Sequence, residues 1–510
     1  MTAPALTTVH AEPGLARPRR PGVGRARLGP TGIAVSAALF ALALAIRIYR
    51  LGEWSFWLDE VYTVIDAYHL RERLGGYPLF YTVERAVFEL FGVSEFTSRI
   101  VPAVVGAVSV PLLVPWFHRF ARRPGMWGSL LLLALSPWHL YWSQVARYYT
   151  LLMLLETGAL YAFYVGVVEG RRRLLAISFL LALLTFLTHF TGGIFVAIAA
   201  GFILLRAILL RSAPSGAASG RVLALVLALL ILSAGYVVFA ILPDLGTGSS
   251  SWGDSPGDLF EKLAYYLTPS VLALAALGLV LAWRNSRDEA LFLGLAAGLP
   301  TLFLLLVHSV QDVNTRYLFS TMPAYLALAG ISLTRLWRVL GDRRRALWAG
   351  AVLLLILPSL QEDVLYFVEG HGNREPWKDA VAFARREGAP GARILGYNDR
   401  LPAFYAGLPR IPSDKIAFRD RPEVDFGRLE REGREAWILV RRRLITSALE
   451  GRSGTEAQRS GEWLIGRAEL EREFGARLGR KDRTVQVYRY VPRVALPGRL
   501  SPAPGTGPRS

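Results

Sequence analysis

Asp59 and Glu60 are the residues of this chain whose type and position best suit chemistry. They lie in Trp54-Ser-Phe-Trp-Leu-Asp-Glu-Val-Tyr62, shortly after the first long apolar segment. Two adjacent acids are costly to desolvate beside a membrane and contribute nothing to an apolar core. A carboxylate at the water–lipid boundary can, however, take the proton of a hydroxyl beside a lipid-borne substrate. The alternative is a solvated acidic pair that opens an interfacial helix, with Asp59 near the N-cap.

The composition indicates a helical membrane protein. Of the 510 residues, 53% are hydrophobic and only 19% are charged, which is low for a soluble protein. The formal net charge of +18 comes mainly from basic residues in short runs between apolar segments. Such runs hold loops in the cytoplasm, so we expect no nucleic-acid partner. The chain has no cysteine, which excludes disulfides, thiolate metal sites and cysteine nucleophiles.

Apolar segments of about 20 residues each predict an all-α polytopic membrane domain of about 11 transmembrane helices, followed by a small α/β domain. Residues 1–30 are predicted to be a disordered basic tail, 31–361 the membrane domain, 362–492 the α/β domain with short strands and helices, and 493–510 a second disordered tail. The predicted spans lie near 31–49, 98–118, 126–142, 150–168, 174–190, 191–210, 222–243, 263–283, 290–308, 317–337 and 346–361.

The placement of arginine orients these spans. If successive loops alternate sides, the basic groups fall on the side of the N-terminal tail, and the positive-inside rule makes that side cytoplasmic. The acid pair and the C-terminal domain then lie outside a cytoplasmic membrane. The basic groups are Arg119/Arg122/Arg123, Arg171–Arg173, Arg211/Arg221, Arg284/Arg287 and Arg335–Arg345.

Further polar residues are predicted on the same outer side. Arg316 is the favoured phosphate ligand because a guanidinium binds phosphate through two donors; its alternative is an ordinary arginine at a span end. Lys262 is a weaker second ligand. Arg147 is predicted to contact phosphate or Asp59, and a helical segment would place Ser143, Gln144 and Arg147 on one face. Its alternative is an arginine that snorkels to the interface.

Substrate contacts and metal binding are the next features to predict from the sequence. The predicted substrate-binding residues are Tyr77, Gln144, His189 and Tyr317. For His189, a buried histidine bonded to a neighbouring helix competes with a donor or metal contact. The spacing of histidine, aspartate and glutamate matches no zinc motif, so a divalent cation stays an open alternative.

A series of motifs follows the chain in order and resembles the GT-C membrane glycosyltransferases of the protein O-mannosyltransferase and aminoarabinose-transferase type (glycosyltransferase family 39-like). The resemblance covers residues 31 to about 340, with one more motif opening the C-terminal domain. Many members have His-Pro-Pro where this chain has Gly76-Tyr77-Pro78. The motifs are Trp57-Leu-Asp-Glu60, Tyr77-Pro-Leu-Phe-Tyr81, Phe91-Gly-Val-Ser-Glu-Phe-Thr-Ser-Arg99, Ser136-Pro-Trp-His-Leu-Tyr-Trp-Ser-Gln-Val-Ala-Arg-Tyr148, Thr188-His-Phe190, Arg316-Tyr-Leu318 and Asn373-Arg-Glu-Pro-Trp-Lys-Asp379.

The resemblance implies transfer of a sugar from a polyprenyl-phosphate donor to an extracytoplasmic hydroxyl of a protein, lipid or polysaccharide. It implies that Asp59 is the catalytic base, with Glu60 orienting it or helping to hold a divalent cation. A single displacement at the anomeric carbon predicts inversion. Two other functions remain open: a transporter or flippase of lipid-linked glycans, and a non-catalytic envelope scaffold.

Overall fold

The structure, a computed structural model, describes residues 28–69, 78–210, 254–308, 313–341, 344–397, 400–407, 429–431, 433–450, 455–478 and 481–492, with residues 228 and 235. Tyr77, most of the predicted span at 222–243, the C-terminal tail and nearly all of the N-terminal tail lie outside these residues.

The first part of the chain is a bundle of α-helices joined by short turns. Short 3₁₀ turns at Phe190–Gly193 and Thr315–Thr321 precede α9 and α13. The described helices are α1 Pro30–Ile48, α2 Leu58–Tyr68, α3 Pro78–Phe91, α4 Glu95–Leu112, α5 Val114–Ala134, α6 Pro137–Ser143, α7 Tyr149–Val168, α8 Arg172–Thr188, α9 Ile194–Leu209, α10 Pro256–Leu267, α11 Pro269–Asn285, α12 Arg287–Val307, α13 Met322–Leu340 and α14 Arg345–Val368.

The described part of the chain holds seven helical segments long and apolar enough to cross a membrane. There are up to eight if α10 and α11, which meet at an angle of 94°, form one bent span. The prediction of a multi-pass helical domain is confirmed, whereas the count of about 11 spans is not. The seven segments are Pro30–Ile48, Glu95–Leu112, Tyr149–Val168, Phe190–Leu209, Arg287–Val307, Thr315–Leu340 and Arg345–Val368.

The predicted span at 126–142 is broken. Helix α5 ends at Ala134, and a new helix, α6, begins at Pro137. The residue before a proline disfavours the helical conformation. A span predicted from its apolar residues alone does not reveal such a break. Because α6 ends at Ser143, the prediction that Ser143, Gln144 and Arg147 share one helical face is wrong. Residues 144–148 form the α6–α7 turn instead.

Helix α13 lies at the centre of the bundle, and its neighbours approach it through glycines. A Cβ on Gly125 of α5 would lie 1.9 Å from the carbonyl oxygen of Gly330. A Cβ on Gly278 of α11 would lie 1.9 Å from that of Leu328. Small residues of this kind let helix backbones pack closely within a membrane. The packing fixes α13, whose preceding turn contains Arg316.

The C-terminal part is a small α/β unit. Its strand order is β1-β2-β6-β3, with β1 parallel to β2 and the other pairs antiparallel, and β4 pairs with β5 separately. The predicted strands near 392–397, 436–440 and 484–490 and the helix near 376–386 are confirmed. The elements are α15 Trp377–Glu387, β1 Arg393–Gly396, α16 Leu401–Gly407, β2 Ala436–Arg441, α17 Arg442–Leu449, α18 Thr455–Arg467, β3 Glu469–Phe474, β4 Arg477–Leu478, β5 Lys481–Asp482 and β6 Val485–Tyr490.

This unit packs on the loop between α1 and α2. The Tyr405 hydroxyl donates to Glu95 Oε1 at 3.0 Å and accepts from the Phe56 amide at 2.6 Å. The Lys378 amide donates to the Ser55 hydroxyl at 3.0 Å. Gly372, with φ of +59°, lies so close to Trp54 that a Cβ would be 2.3 Å from the indole. The loop carrying the acid pair is thus held between the bundle and the C-terminal unit.

Candidate active site

The two acids open helix α2 but lie in different environments. Trp57 is the N-cap residue, and Asp59 and Glu60 are the second and third residues of the helix. The N-terminal end of a helix dipole stabilises negative charge, which suits both acids. The Asp59 side chain is 25% exposed, whereas that of Glu60 is fully buried. Only Asp59 is therefore accessible to a substrate.

Arg316 faces Asp59 from the turn that precedes α13. Its Nη1 donates to Asp59 Oδ2 at 2.8 Å, and its side chain is 27% exposed. The Asn314 side chain accepts the Arg316 amide at 3.1 Å and so begins this turn. Arg316 Nε is buried and has no hydrogen-bond partner among the described residues. This N–H is therefore a donor that no described residue uses.

Arg147 approaches the same site from the α6–α7 turn. Its Nη1 donates to the backbone oxygen of Asp59 and to the Thr63 hydroxyl, each at 3.3 Å. Its Nε is also buried without a partner among the described residues. The contact with Asp59 is to the backbone rather than the carboxylate. Two guanidinium groups with unused donors thus flank one accessible carboxylate.

His189 and Tyr317 form the aromatic side of the site. The His189 ring stacks on Tyr148 at 4.3 Å and on Tyr317 at 5.9 Å between ring centroids. His189 Nδ1 lies 2.6 Å from the Thr191 hydroxyl. Burial, with the nearby Arg147 and Arg316, holds the pKa of His189 well below its usual range. Burial and the two arginines therefore favour the neutral form of the imidazole.

Glu60 holds the surrounding elements together instead of facing the site. Its Oε1 and Oε2 accept from Arg99 Nε and Nη2 at 2.8 and 2.9 Å. Oε1 also accepts the Ala146 amide at 2.9 Å, and Oε2 accepts Arg374 Nε at 3.3 Å. Arg99 and Arg374 are themselves buried. Glu60 thereby joins α2, α4, the α6–α7 turn and the C-terminal unit, and we interpret it as a positioning residue.

The buried contacts of Glu60 with Arg99 and Arg374 form a junction that is expected to be sensitive to acid, because Glu60 can be protonated. Burial alone would raise its pKa, but Arg99 and Arg374 outweigh burial and lower it from 4.5 to about 2. A depressed carboxyl pKa contributes stability that is present above the unfolded value and is lost as the pH falls through the folded value. We therefore expect the contribution of Glu60 to the free energy of unfolding to be constant from pH 8 to about 5 and to fall between about pH 4.5 and 2. Thermal midpoints of the wild type and Glu60→Gln, measured across this range, should converge at the acidic end; parallel curves would contradict the expectation.

The side-chain amide of Gln144 makes hydrogen bonds within the protein. Its Nε2 donates to the carbonyl oxygens of Arg47 and Tyr49 at 3.0 and 2.8 Å, and its Oε1 accepts the Tyr366 hydroxyl at 3.0 Å. The side chain is fully buried. Gln144 therefore closes the C-terminal end of α1, where carbonyls lack helical partners. Its polar groups are occupied, so the structure does not support the predicted substrate contact.

Lys262 is linked through Asp254 to the turn that contains Arg316. Its Nζ pairs with the Asp254 carboxylate. Asp254 Oδ2 accepts the amide and the hydroxyl of Thr315, both at 2.7 Å. Thr315 directly precedes Arg316, so this arrangement holds the turn that presents Arg316. Lys262 thus supports that turn, and its predicted role as a second phosphate ligand stays a prediction.

The described residues contain no group of three histidine, aspartate or glutamate side chains arranged to hold a metal ion. The second acid of the pair is already saturated by arginine donors, which argues against its predicted part in holding a cation.

The junction residues Arg99 and Arg374 were not among the predicted site residues, although both belong to the motifs noted above. Arg99 lies inside an apolar helical segment, where an arginine is costly unless a carboxylate neutralises it. That cost indicates that Arg99 needs a carboxylate partner. The acid pair of Asp59 and Glu60 offers one. Arg374 carried no such signal, because it lies in a polar segment far along the chain.

Solved structures with the same fold give an independent comparison. ArnT from Cupriavidus metallidurans in the apo state superposes with a TM-score of 0.58 and 16% identity, covering 90% of this chain and 98% of that one. ArnT bound to undecaprenyl phosphate gives 0.56 and 16%, covering 92% and 100%. Archaeal oligosaccharyltransferase AglB from Archaeoglobus fulgidus, in complex with an inhibitory peptide and a dolichol-phosphate, gives 0.51 and 13%, covering 77% and 61%.

These neighbours are glycosyltransferases of the GT-C fold. The chain therefore has the GT-C membrane fold, and the predicted fold class is confirmed. At such identities the likeness is one of fold. No family model and no curated protein sequence matches the chain.

Proposed function

We propose that this chain is a membrane glycosyltransferase that moves a sugar from a polyprenyl-phosphate donor to an acceptor hydroxyl, with Asp59 as the base. One observation carries the proposal: an accessible carboxylate on α2 lies against Arg316 and beside Arg147, each with an unused buried Nε donor. The known binding of undecaprenyl phosphate by ArnT and of dolichol-phosphate by AglB supports the donor class.

The chemistry follows from these groups. Asp59 accepts the proton of the acceptor hydroxyl while the acceptor oxygen forms a bond to the anomeric carbon. The bond from that carbon to the phosphate oxygen breaks, and its electron pair leaves with the polyprenyl phosphate. Arg147 and Arg316 stabilise the charge that develops on the phosphate. The attack and departure occur on opposite faces, so the product has inverted configuration; a retained configuration would contradict the single displacement.

Arg316→Ala is expected to raise the apparent donor KM by about 10- to 100-fold, because one charged hydrogen-bond donor contributes about 1.5–3 kcal/mol. The acceptor KM should change far less. Initial rates with each substrate varied in turn provide the measurement. Arg85→Ala, which breaks an exposed pair with Glu89, is the matched control. An unchanged donor KM in Arg316→Ala would remove Arg316 from the proposed donor site.

The positions of the arginines support a reaction on the outer side of the membrane. Arg119 lies 2.7 Å from Glu289, and Arg206 lies 3.0 Å from Asp288, at the end of the bundle remote from Asp59. This arginine-rich end is the proposed cytoplasmic end, which puts Asp59 and the C-terminal unit outside a cytoplasmic membrane.

Fusions test this orientation. A reporter active only outside the cytoplasm is expected to be active when joined after residue 492 and inactive when joined before residue 30. A cytoplasmic reporter at the same two positions is the control and should give the reverse pattern. Cytoplasmic activity after residue 492 would contradict the proposed side of the reaction.

A further inference from the structure

A cavity of about 450 Å³ opens at the end of the bundle remote from Asp59. It lies between α5, α11, α12 and α13. Arg316 precedes the start of α13, whereas Arg335 and Arg338 of the cavity lie in its last turns. The charged residues that line the cavity are Arg122, Arg284, Glu289, Arg335 and Arg338.

The charge of this cavity is strongly positive. Four guanidinium groups line it, but Glu289 is its one carboxylate among the described residues. Glu289 is already engaged by Arg119 at 2.7 Å and lies 4.0 Å from Arg122. In the described part of the chain, Arg284 and Arg338 have no carboxylate partner. The cavity therefore has an excess of donors for a bound anion.

An apolar groove adjoins the cavity and shares Arg284 with it. The groove has a volume of about 520 Å³ and runs between α11 and α12. Its walls include Leu279, Val280, Trp283 and Leu295. Val280 is 50% exposed and Trp283 is 42% exposed. A free anion would use the cavity alone, whereas a lipid would place its headgroup in the cavity and an acyl chain in the groove.

We propose that the cavity and groove bind an anionic phospholipid from the leaflet remote from Asp59. Arg284, which lines both spaces, lies where the phosphate joins the acyl region. Basic pockets between membrane helices are suited to such headgroups, and each arginine near the surface strengthens their binding. The site is separate from the proposed sugar-transfer site, and its occupancy does not depend on that activity.

The test uses the purified full-length protein and phosphatidylglycerol as the probe. Native mass spectrometry at increasing lipid concentration measures the affinity of the first bound lipid. The double substitution R284Q/R338Q is expected to weaken this affinity by roughly 10- to 30-fold. The control R172Q/R173Q removes two exposed arginines from the start of α8, outside the cavity, and should leave the affinity unchanged.

Two further probes separate the sources of the anion. Phosphatidylcholine with the same acyl chains should bind at least about tenfold more weakly than phosphatidylglycerol, and inorganic phosphate should not displace the bound lipid. Equal binding of the two lipids, displacement by inorganic phosphate, or equal loss in the two double variants would each overturn the proposal. If R284Q/R338Q does not fold, the single variant R338Q supplies the same comparison with an expected loss of about fivefold.

Discussion

Asp59→Asn is expected to lower the rate of sugar transfer by about 10²- to 10⁴-fold, the usual contribution of a general base. Asparagine keeps the shape of the side chain, and its amide oxygen can still accept from Arg316. It cannot take up the proton of the acceptor hydroxyl at neutral pH. Transfer of labelled sugar by the purified variant provides the measurement.

Glu53→Gln is the matched control for Asp59→Asn. Glu53 is an acid of the same loop, and its exposed side chain pairs with Arg50. The control should transfer sugar at the wild-type rate. A folded Asp59→Asn protein with unimpaired transfer would refute the role of Asp59 as base. Wild-type transport of a lipid-linked glycan with no transferase activity in the parent protein would favour the flippase function.

Glu60→Ala is expected to have the largest effect on stability, at about 3–5 kcal/mol. The substitution leaves Arg99 and Arg374 buried with no carboxylate, and a buried charge without its partner is costly. The loss should appear as a marked fall in the thermal midpoint of the purified protein. It should also lower the transfer rate, because the backbone on either side of Asp59 loses its fixed position.

The exposed pair of Arg50 and Glu53 again offers a control. Glu53→Ala should change stability by no more than about 1 kcal/mol, since surface ion pairs contribute little. A double-mutant cycle that combines Glu60→Gln with Arg374→Met measures the coupling between the loop and the C-terminal unit. An absent coupling, or a Glu60→Ala midpoint equal to that of Glu53→Ala, would show that the junction does not hold the site.

The structure separates two acids that are adjacent in the chain. Successive residues of a helix lie about 100° apart around its axis, so Asp59 and Glu60 cannot face the same environment. Asp59 meets the accessible side with Arg316, and Glu60 meets the interior with Arg99. Asp59 therefore stays partly exposed, whereas Glu60 is buried in its contacts with Arg99 and Arg374.

The class of the fold and the position of the acid pair can be predicted from the amino-acid sequence. Long apolar segments require helices in a membrane, because every backbone polar group must be satisfied within its own segment. Short runs of residues typical of strands likewise predict the strands of the C-terminal unit, such as Ala436–Arg441. These features depend on local composition, which is visible along the chain.

Which polar groups contact one another depends on how distant parts of the chain pack. The contact between Glu60 and Arg374 joins residues 314 positions apart, and no local pattern specifies such a pair. Gln144 is predicted as a substrate contact because it is a polar residue on the predicted outer side. Its polar groups instead bond to the end of α1 and to Tyr366. A side chain's role depends on whether folding satisfies its donors and acceptors internally, and that is settled by packing between distant elements.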